Sequence, residues 1–357
     1  YEITGRDWIS DVCSSDLPLG GIIVKRTGVA AALAILAISA AWADLYSTDR
    51  PLSTIETEYF SIIFPADSRS AAEYLAGFAD GMYREIAALL GTEPSFRMPV
   101  VITPDHEETN GYYTWQPYPR IVLYQAPIDD ASSLGSFNDD LRKLFYHELT
   151  HAVSLTIRSG WENLVVDIFG SPFGASNFLA PLSFVEGVTV SFESRDGFGR
   201  AADPLAGAYL RQDIVEGRWK SFTQASGAYD RYPARGLYYL YGGYFSRYLQ
   251  ERFGMEAYAA IWRQFGIASL FRPLDDSILG EGRFSAVFGV SLSEAWNDFR
   301  DWMTPRVPVY MAADPIRKPS TIGAMAARGA SLYYADLNDR TRSEERRVGK
   351  EGRSRWS

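Results

Sequence analysis

The chain has 357 residues, of which 46% are hydrophobic and 14% aromatic. This is enough to bury a large core in one big or two modest domains, and it excludes an intrinsically disordered chain. The formal net charge of −9 argues against a nucleic-acid-binding protein, because that binding depends on clustered Lys and Arg side chains.

The two ends, residues 1–17 and 342–357, have neither helical nor strand periodicity. Both resemble translated read-through of sequencing adapters, and we expect them to be artefacts that take no part in the fold. The one cysteine of the chain, Cys13, lies in the first of them. Disulfide bonds and thiol chemistry are therefore not expected in the remainder.

Residues 18–43 have the features of a secretory signal peptide. Lys25 and Arg26 precede an apolar run at about 29–41, and the small residues around its end fit a signal-peptidase site. The run is well short of the roughly 20 residues that span a bilayer. We expect cleavage near Asp44 and export, with an uncleaved anchor or a peripheral membrane association as alternatives. No later segment predicts an integral membrane span.

The first part of the mature chain predicts a mixed lobe. β-branched, aromatic and helically spaced apolar residues predict a strand at 54–65, a helix at 70–91 and strands at 97–104 and 120–127. The intervening residues 105–119 carry an Asn-Gly turn and two prolines, which predicts a loop. This order is typical of an α+β fold with an N-terminal mixed α/β lobe.

A helix is predicted next, from about Phe137 to Ile157, where Ser136 and Asp139 match a capping box. Residues 160–181 predict a loop, and the pattern from there to Thr304 is mainly helical. The sequence therefore predicts a C-terminal helical lobe, completing one domain at 44–306.

Residues 307–341 predict a linker and a short hairpin. The segment SLYYADLN (331–338) resembles the first strands of a propeller blade, although an ordinary C-terminal hairpin is the alternative. If the last residues are an artefact, we expect the native protein to continue, with a propeller that is truncated here.

The stretch FYHELTHAVS (145–154) carries two of the three histidines, His147 and His151. Residues four apart on a helix lie on one face, so two imidazoles can bind one ion, and zinc suits such nitrogens. Glu148 lies beside them and can reach a zinc-bound water without being a ligand. The alternative is a chance pairing on a core helix.

A catalytic zinc normally has three protein ligands. His106 lies far upstream in a predicted loop, which favours a downstream carboxylate. Glu186 in FVEGVTVSFES is the best candidate, since an unpaired carboxylate would be costly to bury in that apolar setting. Its alternative role is a partly exposed acid near a helix start. Glu162 and Asp167 lie in the predicted loop, and Gly187 would let another backbone approach closely.

These motifs resemble a known clan. HELTH followed by an apolar-x-x-Glu-Gly element is similar to the gluzincin zinc metallopeptidases, and Tyr239, Gly242 and Arg247 in YYLYGGYFSRYL match a recurrent aminopeptidase helix. With VVITPD, NGYY and YPRIVLY, they resemble the peptidase-MA-like domain of bacterial secreted proteins that carry a TolB-like propeller. The resemblance covers roughly residues 54–305 and implies a zincin-like fold with an edge strand beside the HExxH helix.

The resemblance also implies a function: a secreted peptidase that binds one Zn²⁺ per chain and acts on a peptide or protein substrate in the periplasm or outside the cell. His147, His151 and Glu186 would hold the metal, and Glu148 would act as general base. The strand at 120–126 would be the edge strand that pairs with substrate.

A tyrosine would stabilise the oxyanion in such an enzyme. The match points to Tyr239, with Tyr238 or Tyr241 as substitutes, while packing of the helical lobe is the alternative role for each. The sequence also departs from the clan, because 34 residues separate His151 from Glu186 and Val190 replaces a clan Asp.

Two further questions stay open at this level. Glu193, seven residues after Glu186, either orients a ligand histidine or is a solvated surface residue. A binding or scaffold module, or a hydrolase of non-peptide amides, is the alternative function. No amine-binding aminopeptidase motif is present, which favours endopeptidase action.

Overall fold

The computed structural model describes residues 50–107, 109–126, 139–158, 160–169, 177, 180–227, 236–265, 281–304, 322–328, 331–336 and 343–347. The chain divides into two compact units, Tyr1–Pro305 and Arg306–Ser357. The predicted signal peptide at 18–43 and the end segment 1–17 lie outside the described residues.

The first unit begins with a five-stranded mixed sheet in the order β1-β2-β3-β5-β4. Its strands are β1 (Leu52–Glu56), β2 (Phe60–Pro65), β3 (Met98–Thr103), β4 (Asn110–Thr114) and β5 (Arg120–Tyr124). The pairs β2–β3 and β3–β5 are parallel, whereas β1 and β4 run antiparallel to their neighbours. With the helices that follow, this is the α+β fold that the element order predicts.

The single strand predicted at 54–65 is two strands joined by a tight turn. Asp80 makes the turn possible, because its carboxylate accepts hydrogen bonds from Thr57 Oγ1 at 2.8 Å, Glu58 N at 3.0 Å and Tyr59 N at 3.1 Å. Backbone donors that would be unpaired in the turn are thereby satisfied. The side chain that sets the turn comes from a helix more than 20 residues downstream, so local periodicity does not reveal it.

The helix predicted at 70–91 is also two elements. After a short 3₁₀ turn at Ala66–Ser68 come α1 (Arg69–Ala76) and α2 (Ala79–Leu89). The break lies at Gly77 and Phe78, whose N–H groups bond three residues back instead of four, at 3.1 Å each. The change of direction lets the Phe78 ring pack against Phe145, with centroids 6.3 Å apart.

The edge of the sheet is not the predicted one. Residues 105–119, predicted as a loop, contain β4, and the predicted edge strand at 120–126 contains β5, which pairs with both β3 and β4. β4 is therefore the edge strand on this side of the sheet, and β1 is the other edge. A Cβ at Gly111 would lie 3.0 Å from Val122 O and 3.3 Å from Leu144 Cδ1, so glycine lets β4 lie closely against the following helix.

The other regular elements described in this unit are helices: α3 (Asp140–Leu155), α4 (Gly160–Phe169), α5 (Leu182–Glu193), α6 (Pro204–Val215), α7 (Phe222–Ala225), α8 (Leu237–Phe253), α9 (Met255–Trp262), α10 (Glu281–Phe288) and α11 (Leu292–Met303). The N-cap of α3 is Asp139, whose side chain accepts from Arg142 N at 3.1 Å. The predicted cap Ser136 lies outside the described residues. α4 corrects the first part of the loop predicted at 160–181, where apolar residues recur at helical spacing.

Two helices, α5 and α8, cross at a seam of glycines. A Cβ at Gly187 would lie 2.5 Å from Gly242 O, and one at Gly242 would lie 2.4 Å from Ser183 O. A Cβ at Gly243 would meet Val190 Cγ1 at 2.4 Å. The close approach of another backbone expected at Gly187 is thus confirmed, and the seam leaves no room for a side chain at any of these three glycines.

One hydrophobic core joins the sheet to the helices. Its largest buried side chains include Phe145, Phe184, Phe245, Trp262 and Tyr83. Truncating a buried Phe of this kind to Ala costs about 3–5 kcal/mol. This core fixes α3 between the sheet and α5, which sets the position of the site described below.

The second unit contains a three-stranded antiparallel sheet of β6 (Ile322–Arg328), β7 (Ser331–Asp336) and β8 (Ser343–Arg347). β8 falls within 342–357, where no strand was predicted. β8 is extended because β7 supplies hydrogen-bond partners for its backbone. Such pairing does not require apolar and polar side chains to alternate along β8. Within the parts of the chain that the structure describes, none of the helices is both long and apolar enough to cross a membrane.

Candidate metal centre

Three side chains from two helices meet at one point. His147 and His151 project from α3 and Glu186 from α5, and their ligand atoms all lie within 4.8 Å of one another. Glu186 Oε2 is 3.2 Å from His151 Nε2 and 3.5 Å from His147 Nε2. The same oxygen is buried and forms no hydrogen bond within the described residues. Two nitrogens and an unbonded carboxylate oxygen facing one point are a donor set suited to zinc.

Local structure explains why these atoms converge. The two histidines lie one turn apart on α3, and their rings meet edge to face with centroids 4.8 Å apart. Glu186 occupies the second turn of α5, directly before Gly187 at the seam with α8. The seam fixes α5 from one side while α3 fixes it from the other, so the carboxylate is held against the imidazoles.

Charge inside the centre is strongly coupled. Burial alone would raise the pKa of Glu186, but the two imidazoles hold it well below its usual range. Burial and the nearby Arg200 would lower the pKa of His147, yet the Glu186 and Glu193 carboxylates beside the ring raise it to about 9. These interactions keep the Glu186 carboxylate ionised and favour a protonated His147 at neutral pH.

Behind His147 lies a buried ion pair. Glu193 Oε2 is 2.8 Å from His147 Nδ1, and Arg200 donates to Glu193 through Nε at 2.9 Å and Nη2 at 3.1 Å. The Glu193 side chain is 1% exposed. Although burial would raise the pKa of Glu193, Arg200 and His147 hold it at about 2. The interpretation of Glu193 as a surface residue is wrong, because it contacts the imidazole directly.

A second buried cation ties α3 to the end of α5. Lys143, one turn before His147, donates from Nζ to the backbone oxygen of Glu193, to Asp196 Oδ1 and to Phe198 O. A cation at the carboxyl end of a helix is favourable, because the last carbonyls carry partial negative charge. α3 and α5 are thereby joined by Lys143 in addition to the contacts between Glu186 and the two histidines.

The centre opens into a cleft of about 250 Å³. It is lined by β4 from Asn110 to Tyr113 and by the three candidate ligands. Glu148 lines the same cleft and is 5% exposed. An edge strand and a carboxylate thus border the point where the ligand atoms converge.

The tyrosines predicted near the site have different surroundings. Tyr239 lines the cleft, with its ring centroid 6.4 Å from that of His147. Tyr238 packs against Tyr239, at 4.8 Å between centroids. The Tyr241 hydroxyl donates to Asp213 at 2.6 Å, and its residue is buried in the helical core. Tyr241 therefore has a packing role, and of the three only Tyr239 lines the cleft.

The other candidate ligands lie elsewhere. The His106 ring stacks on Tyr124, with centroids 4.4 Å apart, and is not part of the cluster. Glu162 is buried on α4 and Asp167 is exposed there, and neither joins the cluster of His147, His151 and Glu186.

Sequence reasoning missed two side chains of the site, Lys143 and Arg200. Lys143 lies four residues before His147, on the same face of α3, and that spacing is a signal that was available. Arg200 follows a loop with two glycines of positive φ, Gly197 and Gly199. No periodicity predicts where the residue after such a loop will point.

Comparisons with known proteins give the following findings. No protein-family model matches the chain. A curated relative, an uncharacterized protein of Treponema pallidum (strain Nichols), is 31% identical over 323 residues, which cover 89% of this chain. The chain spans 28% of the length of that relative.

Three solved structures are similar to the chain at low identity. They are an aminopeptidase N family protein from Idiomarina loihiensis (TM-score 0.39, 15% identity), an M1 zinc metallopeptidase from Deinococcus radiodurans (0.39, 13%) and yeast LTA4 hydrolase (0.38, 14%). The matches cover 70%, 76% and 74% of this chain and 46%, 54% and 40% of those chains, respectively.

Proposed function

We propose that the chain is a zinc-dependent peptidase in which His147, His151 and Glu186 hold one Zn²⁺. The observation that carries the proposal is the buried Glu186 oxygen, which faces two imidazole nitrogens without a hydrogen bond within the described residues. Burying a carboxylate oxygen without a hydrogen bond costs free energy, and a bound cation would offset that cost.

A zinc ion bound there would polarise the substrate carbonyl and make water more acidic. Glu148, which lines the cleft, would accept a proton from water and return it to the leaving amine. Tyr239 is the candidate donor to the oxygen that develops negative charge. Burial, together with the nearby Glu186, raises the pKa of Tyr239, so its hydroxyl keeps the proton that it must donate.

The substrate would bind along β4. This strand pairs with β5 on one side only within the described residues, and Asn110, Gly111, Tyr112 and Tyr113 line the cleft. An extended peptide could pair with the other side by β-augmentation, which would place one of its carbonyls beside the candidate ligands. β4 would thereby take the role that the resemblance implied for the strand at 120–126.

The finer parts of the proposal follow from the sequence. We infer export through the signal at 18–43, action in the periplasm or outside the cell, and a propeller that follows the peptidase domain. The clan resemblance of the motifs supports these inferences. The position of the Glu148 carboxylate in the cleft favours catalysis over the alternative of a scaffold.

The test is zinc content together with cleavage of casein and a broad peptide library. We expect one zinc per chain and cleavage by the wild type, and Glu148→Gln should keep its zinc while losing activity by about 10²–10⁴-fold. The matched control is Glu73→Gln, which removes an exposed carboxylate from α1. A wild type that holds zinc and cleaves nothing would favour the scaffold. A wild type that binds no zinc would reject the metal centre itself.

A further inference from the structure

The structure assigns a specific role to Arg200, and this inference rests on the proposed function. We propose that Arg200 is a positioning residue for two parts of the site at once: it fixes Glu193 against the ligand His147, and it holds the ring of Tyr239. Residues 194–201, called the clasp loop below, place it there.

The first contact acts on the metal ligand. For His147 Nε2 to be free for a metal, its Nδ1 must carry the proton and donate to Glu193 Oε2, 2.8 Å away. Arg200 spans both oxygens of that carboxylate, and its backbone N donates to Glu193 Oε1 at 3.2 Å. Arg200 Nη2 also lies 2.9 Å from His147 Nδ1. The Glu193 carboxylate therefore cannot rotate away from the imidazole without losing its hydrogen bonds to Arg200.

The second contact acts on the candidate oxyanion donor. The Arg200 guanidinium lies over the Tyr239 ring, with Cζ 4.6 Å from the centroid. A flat guanidinium can stack on a ring and span a carboxylate at the same time, which the ammonium of lysine cannot do. One planar group thus links the imidazole side of the site, carried by α3, to the tyrosine side, carried by α8.

The conformation of the clasp loop determines where the Arg200 side chain lies. Gly199 has φ of +122°, and a Cβ there would lie 2.7 Å from Ser194 Oγ, so glycine is required for the loop to fold back on α5. Ala201 N donates to Ser194 Oγ at 2.9 Å. Lys143 binds Asp196 and the carbonyl of Phe198, which anchors the loop to α3. The Arg200 side chain is 11% exposed as a result.

The experiment compares Arg200→Lys with Arg195→Lys, which changes an exposed arginine of the same loop. Four quantities are measured on the full chain: the zinc dissociation constant by chelator competition, the absorption spectrum with Co²⁺ in place of zinc, kcat and KM separately, and the melting temperature. We expect Arg200→Lys to weaken zinc binding about 10–100-fold, to alter the Co²⁺ spectrum and to lower kcat more than it raises KM. Arg195→Lys should match the wild type in all four.

A double-mutant cycle tests the tyrosine contact. If Arg200 acts partly by holding Tyr239, the fold-loss in kcat caused by Arg200→Lys must be smaller in a Tyr239→Phe background than in the wild type. Equal fold-losses in the two backgrounds would remove the Tyr239 half of the inference. Should Arg200→Lys fail to fold, Arg200→Gln in the same assays decides.

The outcomes separate the two proposals. If the wild type binds neither Zn²⁺ nor Co²⁺, the proposed function fails and the role of Arg200 fails with it. If the wild type binds metal and cleaves peptides while Arg200→Lys retains its zinc affinity, spectrum and kcat, only the role of Arg200 is refuted. A fall in melting temperature alone, with metal affinity and kcat unchanged, would likewise refute it in favour of a purely structural role.

Discussion

The glycine seam between α5 and α8 gives the sharpest test of the structure. In Gly187→Ala, the new Cβ would lie 2.5 Å from Gly242 O and 2.6 Å from Ser246 Oγ. Ordinary contact begins at 3.4 Å, so one helix must move by about 0.9 Å. Replacing glycine by alanine inside a helix gains about 1 kcal/mol from helix propensity. Overpacking typically costs 1–3 kcal/mol and sometimes more. Because the contact at Gly242 O is with backbone, the cost should lie in the upper part of that range, about 2–3 kcal/mol, and we expect a net loss of about 1–2 kcal/mol.

The free energy of unfolding should be measured by urea titration with a chelator present, so that metal binding does not contribute. Gly81→Ala is the matched control, because Gly81 also lies within a helix and a Cβ there meets nothing within 4 Å. We expect Gly81→Ala to be more stable than the wild type by about 1 kcal/mol. The two identical substitutions should therefore change stability in opposite directions.

The same variant should affect the metal centre. Glu186 precedes Gly187 on α5, and ligand distances tolerate only about ±0.2 Å. A helix displacement several times larger should weaken zinc binding by at least about tenfold, measured by chelator competition. If Gly187→Ala were as stable as Gly81→Ala and bound zinc like the wild type, the close crossing of α5 and α8 would be refuted.

Three further outcomes are expected. Zinc at 100 times its dissociation constant should stabilise the protein by about 2.7 kcal/mol. A chelator should therefore lower the melting temperature measured by calorimetry. An unchanged melting temperature would contradict a metal shared by two helices. The pKa of His147 is raised to about 9 in the protein without metal, so zinc must displace a proton from this residue. The affinity for zinc should therefore rise up to about tenfold per pH unit between pH 6 and 8. Zinc titrations at fixed ionic strength would show this slope, and an affinity that does not change with pH would rule out the displaced proton. Glu186→Ala should abolish zinc binding in the same titration, whereas Glu162→Ala should leave it unchanged, and the reverse result would move the third ligand to α4.

The parts of the site that could be predicted from sequence are those encoded by local spacing. Two histidines four residues apart on an amphipathic helix must share a face, so the pairing of His147 and His151 needs no tertiary information. Glu186 could be proposed because a carboxylate in an apolar segment needs a partner. The α+β order of elements could be predicted for the same reason, because the hydrophobic periodicity of a helix or a strand is visible within a short segment of sequence.

The parts that could not be predicted depend on distant residues. The turn between β1 and β2 depends on Asp80, and the edge position of β4 depends on the pairing of β5 with both neighbours. Glu193 is ambiguous in the sequence because its partners, His147 and Arg200, approach from a different helix and from a loop. Local patterns specify elements, whereas these features arise only when elements pack.

The connection between α3 and α5 has a consequence for finding related proteins. The two helices are joined by the contact of Glu186 with His151 and by Lys143, so the 34 residues between His151 and Glu186 need not keep a fixed length. A search that requires a set interval after HExxH would overlook chains built in this way.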